Sequence, residues 1–302
     1  MNIFLTGATG FVGSHIIPEL LAAGHCVTGL TRSEAGARRL AEAGAEPYRG
    51  SIGDLASLRA GIERADGVIH TAFDHNFAEY RANCEKDGRV IATMGEVLQG
   101  SDRPLLITSA TVLGDNGDGR PAVESAYYPD HPIPRIATEQ AGEALLQAGV
   151  DLRIIRLPQV HDPVKQGLVT PYIDHARQTG TAAYVDDGAQ RWCAGHVGDV
   201  ARLYALALDR GQKGARYHAV AEEGVPFRSI AEAVARGLDL PLVSLSGAAA
   251  QDHFGWLSMF VGLDKTASST WTQEQLGWQP VGPGLIADLD AMDYADRTVP
   301  AM

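Results

Sequence analysis

The sequence predicts an α/β protein: a doubly wound parallel sheet with a smaller C-terminal lobe. Short β-type apolar runs alternate with helix-spaced apolar patterns through the first half of the chain. A glycine-rich loop at residues 6–13 lies between the first run and the first helical pattern, and after Pro158 the alternation loosens into loops and short elements.

The first strand is expected at 2–6, around Ile3, Phe4 and Leu5, and the first helix at 13–23, where Ile16, Ile17, Leu20 and Leu21 recur at helical spacing. Strand 26–31 and helix 33–43 repeat the unit, followed by strand 46–49 and helix 55–65, in which Leu55, Leu58 and Ile62 share a face. Strand 67–71, helix 85–98, strand 105–109, helix 138–148 and strand 152–156 complete the alternation. Gly24, Gly44 and Gly149 stand just past three of these helices, where a left-handed residue ends a helix. Beyond Pro158 we expect a helix at 201–209, a strand at 215–219, a helix at 229–237 and an irregular aromatic-rich stretch at 252–264. The predicted division is a dinucleotide-binding core at 1–158, completed by 194–220, and a substrate lobe from 159–193 and 221–302. The tail after Tyr294 is expected to lie outside the packed fold.

Composition sets the function classes that fit. A formal charge of -12 argues against broad affinity for nucleic acid or anionic membranes, although Arg32, Arg38 and Arg39 form a local basic spot. Three widely spaced cysteines, Cys26, Cys84 and Cys193, suggest neither a disulfide framework nor a zinc site, and the ten histidines show no metal-site spacing. There is no basic leader before the first strand and no long apolar run, so a cytoplasmic protein without a membrane span is expected.

The loop Thr6-Gly7-Ala8-Thr9-Gly10-Phe11-Val12-Gly13 follows a strand and opens a helix. In that context one glycine makes the tight turn, the next lets backbone N–H groups reach a pyrophosphate, and the third lets helix and strand pack closely. The helix N-terminus then faces the negative charge. At the end of the second strand, Thr31-Arg32-Ser33 carries no carboxylate for a ribose diol; Arg32, helped by Ser33, suits the extra phosphate of NADP(H).

The Gly-x-x-Gly-x-x-Gly spacing resembles the short-chain dehydrogenase/reductase superfamily, in its extended, epimerase/dehydratase-like and atypical branches. The likeness continues through Ala65-Asp66-Gly67-Val68-Ile69-His70-Thr71-Ala72, Leu106-Ile107-Thr108-Ser109, Arg156-Leu157-Pro158, His196-Val197-Gly198-Asp199-Val200-Ala201 and Leu276-Gly277-Trp278-Gln279-Pro280. It implies cofactor contacts by Gly7, Thr9, Gly10, Phe11, Val12, Gly13, Thr71, Ala72, Phe73 and Pro158. Adenine contacts fall to Ser51 and Ile52, because Ser51 replaces the usual acid after the third strand. It also implies a polarising serine at Ser109. Relatives that dimerise use the helices flanking the serine strand, so a monomer or homodimer is expected.

The family's Tyr-x-x-x-Lys pair is missing: Arg135 falls at the tyrosine position and Glu139 at the lysine position. Two readings stand, an exposed i,i+4 salt bridge or an Arg135 that stabilises charge developing on the substrate oxygen. A guanidinium does not give up its proton near neutrality, so Tyr127, Tyr128 and His131 are considered as donors. His70 is read as a strand-end histidine near the cofactor, and His161 as a backbone contact beside nicotinamide. His196 and Asp199 are expected to anchor the lobe. Phe73, His75, Thr111, Trp192, Trp256 and Phe260 are candidate pocket residues, although aromatics such as these and Phe254 also suit a lobe core; a cleft lined by them fits a bulky apolar or aromatic carbonyl compound. The altered pair, with His70-Thr71-Ala72-Phe73-Asp74-His75 and Tyr217-His218-Ala219-Val220-Ala221-Glu222-Glu223-Gly224, resembles the tyrosine-less atypical reductases, a group that includes a ketoreductase of angucyclinone biosynthesis. The function expected is NADPH-dependent reduction of a ketone, aldehyde or imine. The alternatives are a non-catalytic NADP(H) sensor and a sugar-nucleotide epimerase or dehydratase, the last disfavoured by loss of both proton-transfer residues.

Overall fold

The computed structural model describes residues 1–295; the expectation for the tail falls almost wholly outside them. The alternation in the first half folds as β1 (Asn2–Thr6), α1 (Phe11–Ala22), β2 (Cys26–Thr31), α2 (Glu34–Glu42), β3 (Glu46–Arg49), α3 (Leu55–Glu63) and β4 (Gly67–His70). There follow α4 (Tyr80–Leu98), β5 (Leu105–Ala110), α5 (Ile136–Gln147), β6 (Leu152–Leu157) and β7 (Gln159–His161). Gly24, Gly44 and Gly149 all have positive φ, so each ends its helix as expected. α1 starts at Phe11 rather than at residue 13, directly on the glycine loop, and α4 starts five residues before its expected start, after a short 3₁₀ turn at Phe77–Glu79.

The chain continues with α6 (Val169–Thr179), β8 (Ala182–Val185), β9 (Arg191–His196), α7 (Val197–Arg210), β10 (Arg216–His218), β11 (Glu222–Pro226), α8 (Phe227–Leu238) and β12 (Leu242–Leu245). It closes with α9 (Gly247–Phe254), α10 (Ser258–Val261), α11 (Thr270–Leu276) and α12 (Leu285–Ala291). Among the described residues no helix is long and apolar enough to cross a membrane.

Seven parallel strands form the main sheet in the order β10-β6-β5-β4-β1-β2-β3. The order reverses between β1 and β4, and such a switch point opens a crevice at the carboxyl ends of the strands. Side-chain alternation sends Ile3 and Leu5 to the face covered by α1 and α7, and Phe4 to the face covered by α3, α4 and α5. Ile16, Ile17 and Leu20 of α1 are fully buried on the first face, each worth about 1.5–3 kcal/mol.

The second body has a three-stranded sheet, β11-β9-β7, a parallel pair, β12-β8, and a core around Tyr172, Trp192, Phe227 and Phe254. Two boundaries differ from expectation. The return to the main body begins at Val197, because residues 194–196 belong to β9 of the small sheet. Leu276 and Trp278 of the last third pack into the α1–α7 core, where the Trp278 indole N–H donates to the Asp199 carbonyl, 2.9 Å.

Candidate active site

The crevice is built where β1, β4 and β5 end. Gly7 has φ +70°, and a Cβ there would lie 2.5 Å from Thr71 Oγ1; a Cβ on Gly13 would collide with the Gly7 carbonyl oxygen. The Gly10 N–H donates to that same carbonyl, 2.8 Å, which completes the turn. The loop is therefore held tightly against both α1 and the residues after β4, with Gly10 exposed at its tip, as a pyrophosphate cradle requires. Thr9 and Val12 are half-buried in the loop, and Phe11 turns back against His15. Thr71 Oγ1 donates to the Thr6 carbonyl, 2.8 Å, and the Ala72 N–H to Thr6 Oγ1, 3.4 Å.

At the end of β2, Arg32 is exposed and forms no ion pair with the described residues, whereas the Ser33 hydroxyl caps α2 by accepting from the Gly36 N–H, 3.0 Å. Ser51 and Ile52 follow β3, and Ile52 packs against the buried core beneath. Pro158 separates β6 from β7.

The exposed salt bridge between Arg135 and Glu139 is not what the structure shows. Both residues are buried, and they serve two separate networks on either side of β5. Arg135 Nη2 donates to the Thr108 carbonyl, 2.8 Å, and Nη1 lies 3.3 Å from Asp87 Oδ2. The guanidinium also lies over Phe73, 3.9 Å from the ring centroid. Asp87 is the hub of this first network: Oδ2 also accepts from Thr138 Oγ1 at 2.6 Å, and Oδ1 meets His70 Nε2 at 3.1 Å. His70 Nδ1 meets Thr6 Oγ1 at 2.6 Å, so polar contacts run unbroken from the glycine loop to Arg135. Burial works to raise the Asp87 carboxyl, but Arg135 and His70 outweigh it and hold it below the usual range.

Glu139 is the hub of the second network. Its Oε1 accepts from Arg156 Nε and from Ser109 Oγ, each at 2.7 Å, and its Oε2 accepts from Arg156 Nη2 at 2.8 Å and Arg216 Nε at 3.1 Å. Burial acts to raise this carboxyl too, but the Arg156 bonds lead a set that leaves it ionised below the usual range. Arg156 is fully buried and also donates to the Ala126 carbonyl, 2.7 Å, and lies 3.3 Å from His218 Nε2. The Ser109 hydroxyl thus gives its one proton to a carboxylate; its oxygen remains free to accept.

The other candidates divide. The Tyr127 ring covers the Arg216 guanidinium, 4.6 Å away, and burial with the nearby Glu143 pushes its hydroxyl pKa up. Tyr128 is half-buried in the turn whose carbonyl accepts from the His131 N–H. Thr111 is buried, its Oγ1 3.3 Å from Cys193 Sγ at the seam between the two bodies. Trp192 is not a pocket residue: it is 2% exposed and packs on Phe227, ring centroids 5.1 Å apart, because β9 turns it into the second core. Phe254 is buried there as well. Trp256 and Phe260 instead reach the segment after β4, where Trp256 stacks on Phe77 at 4.9 Å and His75 meets Phe73 edge-on at 5.3 Å. His161 bonds Asp288 at 2.6 Å, and Asp199 accepts from the Val281 and Gly282 N–H groups. The members of these networks missed from sequence are Asp87 and Arg216.

The fold is that of a Rossmann-type α/β protein of the extended short-chain dehydrogenase/reductase superfamily, whose members use nicotinamide cofactors. The chain belongs to the NAD dependent epimerase/dehydratase family, whose model matches residues 3–220. It is 45% identical over 296 residues, 97% of this chain and all of the relative, to an uncharacterised protein of Schizosaccharomyces pombe. It is 27% identical over 246 residues, 76% of this chain and 71% of the relative, to a 4-hydroxy-2-methyl-3-oxo-4-farnesyl-3,4-dihydroquinoline-1-oxide ketoreductase of Stigmatella aurantiaca. Among solved structures, UDP-glucose 4-epimerase from Thermotoga maritima with UDP-glucose shares the fold at TM-score 0.76 and 21% identity, over 97% of each chain.

Proposed function

We propose that the protein is an NADPH-dependent reductase of a ketone, aldehyde or imine. The observation that carries the reading is the fate of Glu139: the position that would hold the family's lysine is a carboxylate locked to Arg156, Arg216 and Ser109. Epimerisation and dehydration need a group that repeatedly takes and returns a proton at one centre, and an ionised carboxylate held by two guanidinium groups does not do that. A single hydride delivery needs only a bound cofactor and a polarised carbonyl. The likeness to a ketoreductase supports the same class.

The glycine cradle fits a dinucleotide, and the unpaired Arg32 beside a strand end without a carboxylate fits the 2′-phosphate of NADP(H). When bound, the cofactor supplies the hydride. Ser109 turns its O–H from Glu139 to the substrate oxygen, and Arg135, held by Asp87 and the Thr108 carbonyl, adds positive potential as charge grows there. The alkoxide takes its proton from water, directly or through a substrate hydroxyl that water then reprotonates.

NADPH oxidation by wild type and Ser109→Ala across aromatic ketones, aldehydes and cyclic imines tests this. Turnover in wild type that falls about 100-fold or more in Ser109→Ala, with NADPH affinity unchanged, is expected. The engagement of the Ser109 proton by Glu139 favours one other reading, a non-catalytic NADP(H) sensor. Tight NADPH binding with no turnover across the panel establishes that reading and overturns the first.

A further inference from the structure

Two cations stand at opposite ends of one aromatic wall. At the main-body end, Arg135 lies over Phe73 and Asp87 answers its charge. From Phe73 the wall runs through Tyr80, 6.3 Å away, to Phe77 and on to Phe260, 5.7 Å from Phe77. At the far end the Lys265 ammonium lies 3.4 Å from the Trp192 ring centroid and 5.5 Å from that of Phe260.

Nothing among the described residues answers this second charge. The neighbouring Asp264 is committed to Arg191, whose backbone N–H, Nε and Nη2 all donate to it, and Lys265 Nζ has neither a carboxylate partner nor a hydrogen bond. Ring faces attract a cation, but less strongly than the loss of water penalises it, so the ammonium of this half-buried lysine is short of a counter-ion. Burial pulls its pKa down to about 7, with the Cys193 thiol acting in the opposite sense.

Its place in the fold is also informative. The Lys265 N–H donates to the Arg191 carbonyl, 2.6 Å, and its carbonyl accepts from the Cys193 N–H, 2.9 Å, which fixes it alongside β9. Cys193 Sγ in turn meets Thr111 Oγ1 at 3.3 Å, two residues beyond Ser109. The ammonium therefore belongs to the seam that runs from the end of β5 along the aromatic wall.

We infer that Lys265 anchors an anionic oxygen of the substrate, and that the substrate is a planar aromatic or conjugated carbonyl compound bearing a carboxylate, phenolate or enolate. Ring faces along the wall take the planar body, and the uncompensated ammonium takes the charge. The inference rests on the reductase reading for the ligand's role as substrate, but the anion site itself can be tested without turnover.

The test is calorimetric titration of the full chain, with and without NADPH, at pH 6.5, using 2-naphthoate and its neutral counterpart 2-naphthamide. Wild type is expected to bind naphthoate at least tenfold more tightly than naphthamide. Lys265→Met should bring the two within twofold, whereas Lys265→Arg, which keeps the charge, should retain most of the preference. Thermal melting of both variants checks that they fold. Equal binding of the two ligands to wild type, a preference that survives Lys265→Met, or no binding of either ligand overturns the inference. Anion preference without NADPH turnover on any carbonyl keeps the site and removes the reductase; turnover of neutral ketones without anion preference does the reverse.

Discussion

Restoring the family's lysine should break this protein. Glu139 is fully buried and is the only carboxylate among the described residues that bonds Arg156, which is itself fully buried. Removing one partner of a buried ion pair leaves the other charge uncompensated, at about 3–5 kcal/mol. The backbone carbonyls of Ala126 and Val123 still accept from Arg156, which puts Glu139→Gln near the lower end of that range. At about 2–4 °C per kcal/mol for chains somewhat shorter than this one, the melting temperature should fall by roughly 6–12 °C. Glu139→Lys adds a third cation against Arg156 and Arg216 and should leave no cooperatively folding protein. Glu143→Gln is the control, because Glu143 pairs with Arg216 from a half-exposed position and its loss should cost about 1 kcal/mol or less. Differential scanning calorimetry of the three purified variants decides the matter. A Glu139→Lys variant that melts within 2 °C of wild type would refute the assignment of Glu139 as the counter-ion of Arg156.

Two further predictions concern the cofactor and pH. Arg32→Ala should weaken NADPH binding by roughly 10- to 150-fold, the range for a lost charge-assisted hydrogen bond of about 1.5–3 kcal/mol. NADH binding should change by less than about threefold; equal loss for both cofactors in fluorescence titrations removes Arg32 from the phosphate site. His218 is fully buried, with Nδ1 2.8 Å from the Ser268 carbonyl and Nε2 facing Arg156, and burial followed by Arg156 lowers its pKa to about 3. The folded state thus resists a proton that the unfolded chain takes up below about 6.5, so stability falls as pH drops from about 6.5 towards 3, by up to about 1.4 kcal/mol per unit. His218→Gln, which does not titrate, should flatten that slope in urea unfolding series between pH 4 and 7; an unchanged slope contradicts a neutral buried His218.

How far the sequence could be read depended on how local each signal was. β1, the glycine loop and α1 were legible together, since strand alternation, glycine spacing and the Ile16, Ile17 and Leu20 stripe all lie within 22 residues. β7, β8, β9, β11 and β12 were not. They are three to six residues long and pair with strands distant in the chain, as Leu242 does with Ala182, so no local pattern announces them. The positions of Arg135 and Glu139 are legible, but a charged pair four apart has the appearance of a solvated helix face. Their burial is decided by Asp87 on α4 and by Arg156 and Arg216 on neighbouring strands. Asn83 and Asp87, four apart on the face that also carries Val90, Ile91 and Met94, were the available sign of a buried polar hub. Trp192 and Trp256 are both aromatics of the second body, but β9 turns the first into the core, whereas the second lies on the short turn between α9 and α10 and reaches Phe77.

The stack of Phe77 on Trp256 has a kinetic consequence. These rings join the segment after β4 to the second body, almost parallel at 15°, while Trp256 remains 45% exposed. A contact of this kind adds about 0.5–1.5 kcal/mol to what the buried area contributes, a further bias of roughly 2- to 12-fold towards a closed mouth. Ring separation of that kind belongs to loop motions far faster than a typical turnover of about 10 per second. The mouth of the crevice should therefore breathe many times within each catalytic cycle, leaving entry and exit of small molecules in rapid exchange rather than gated by a slow opening step.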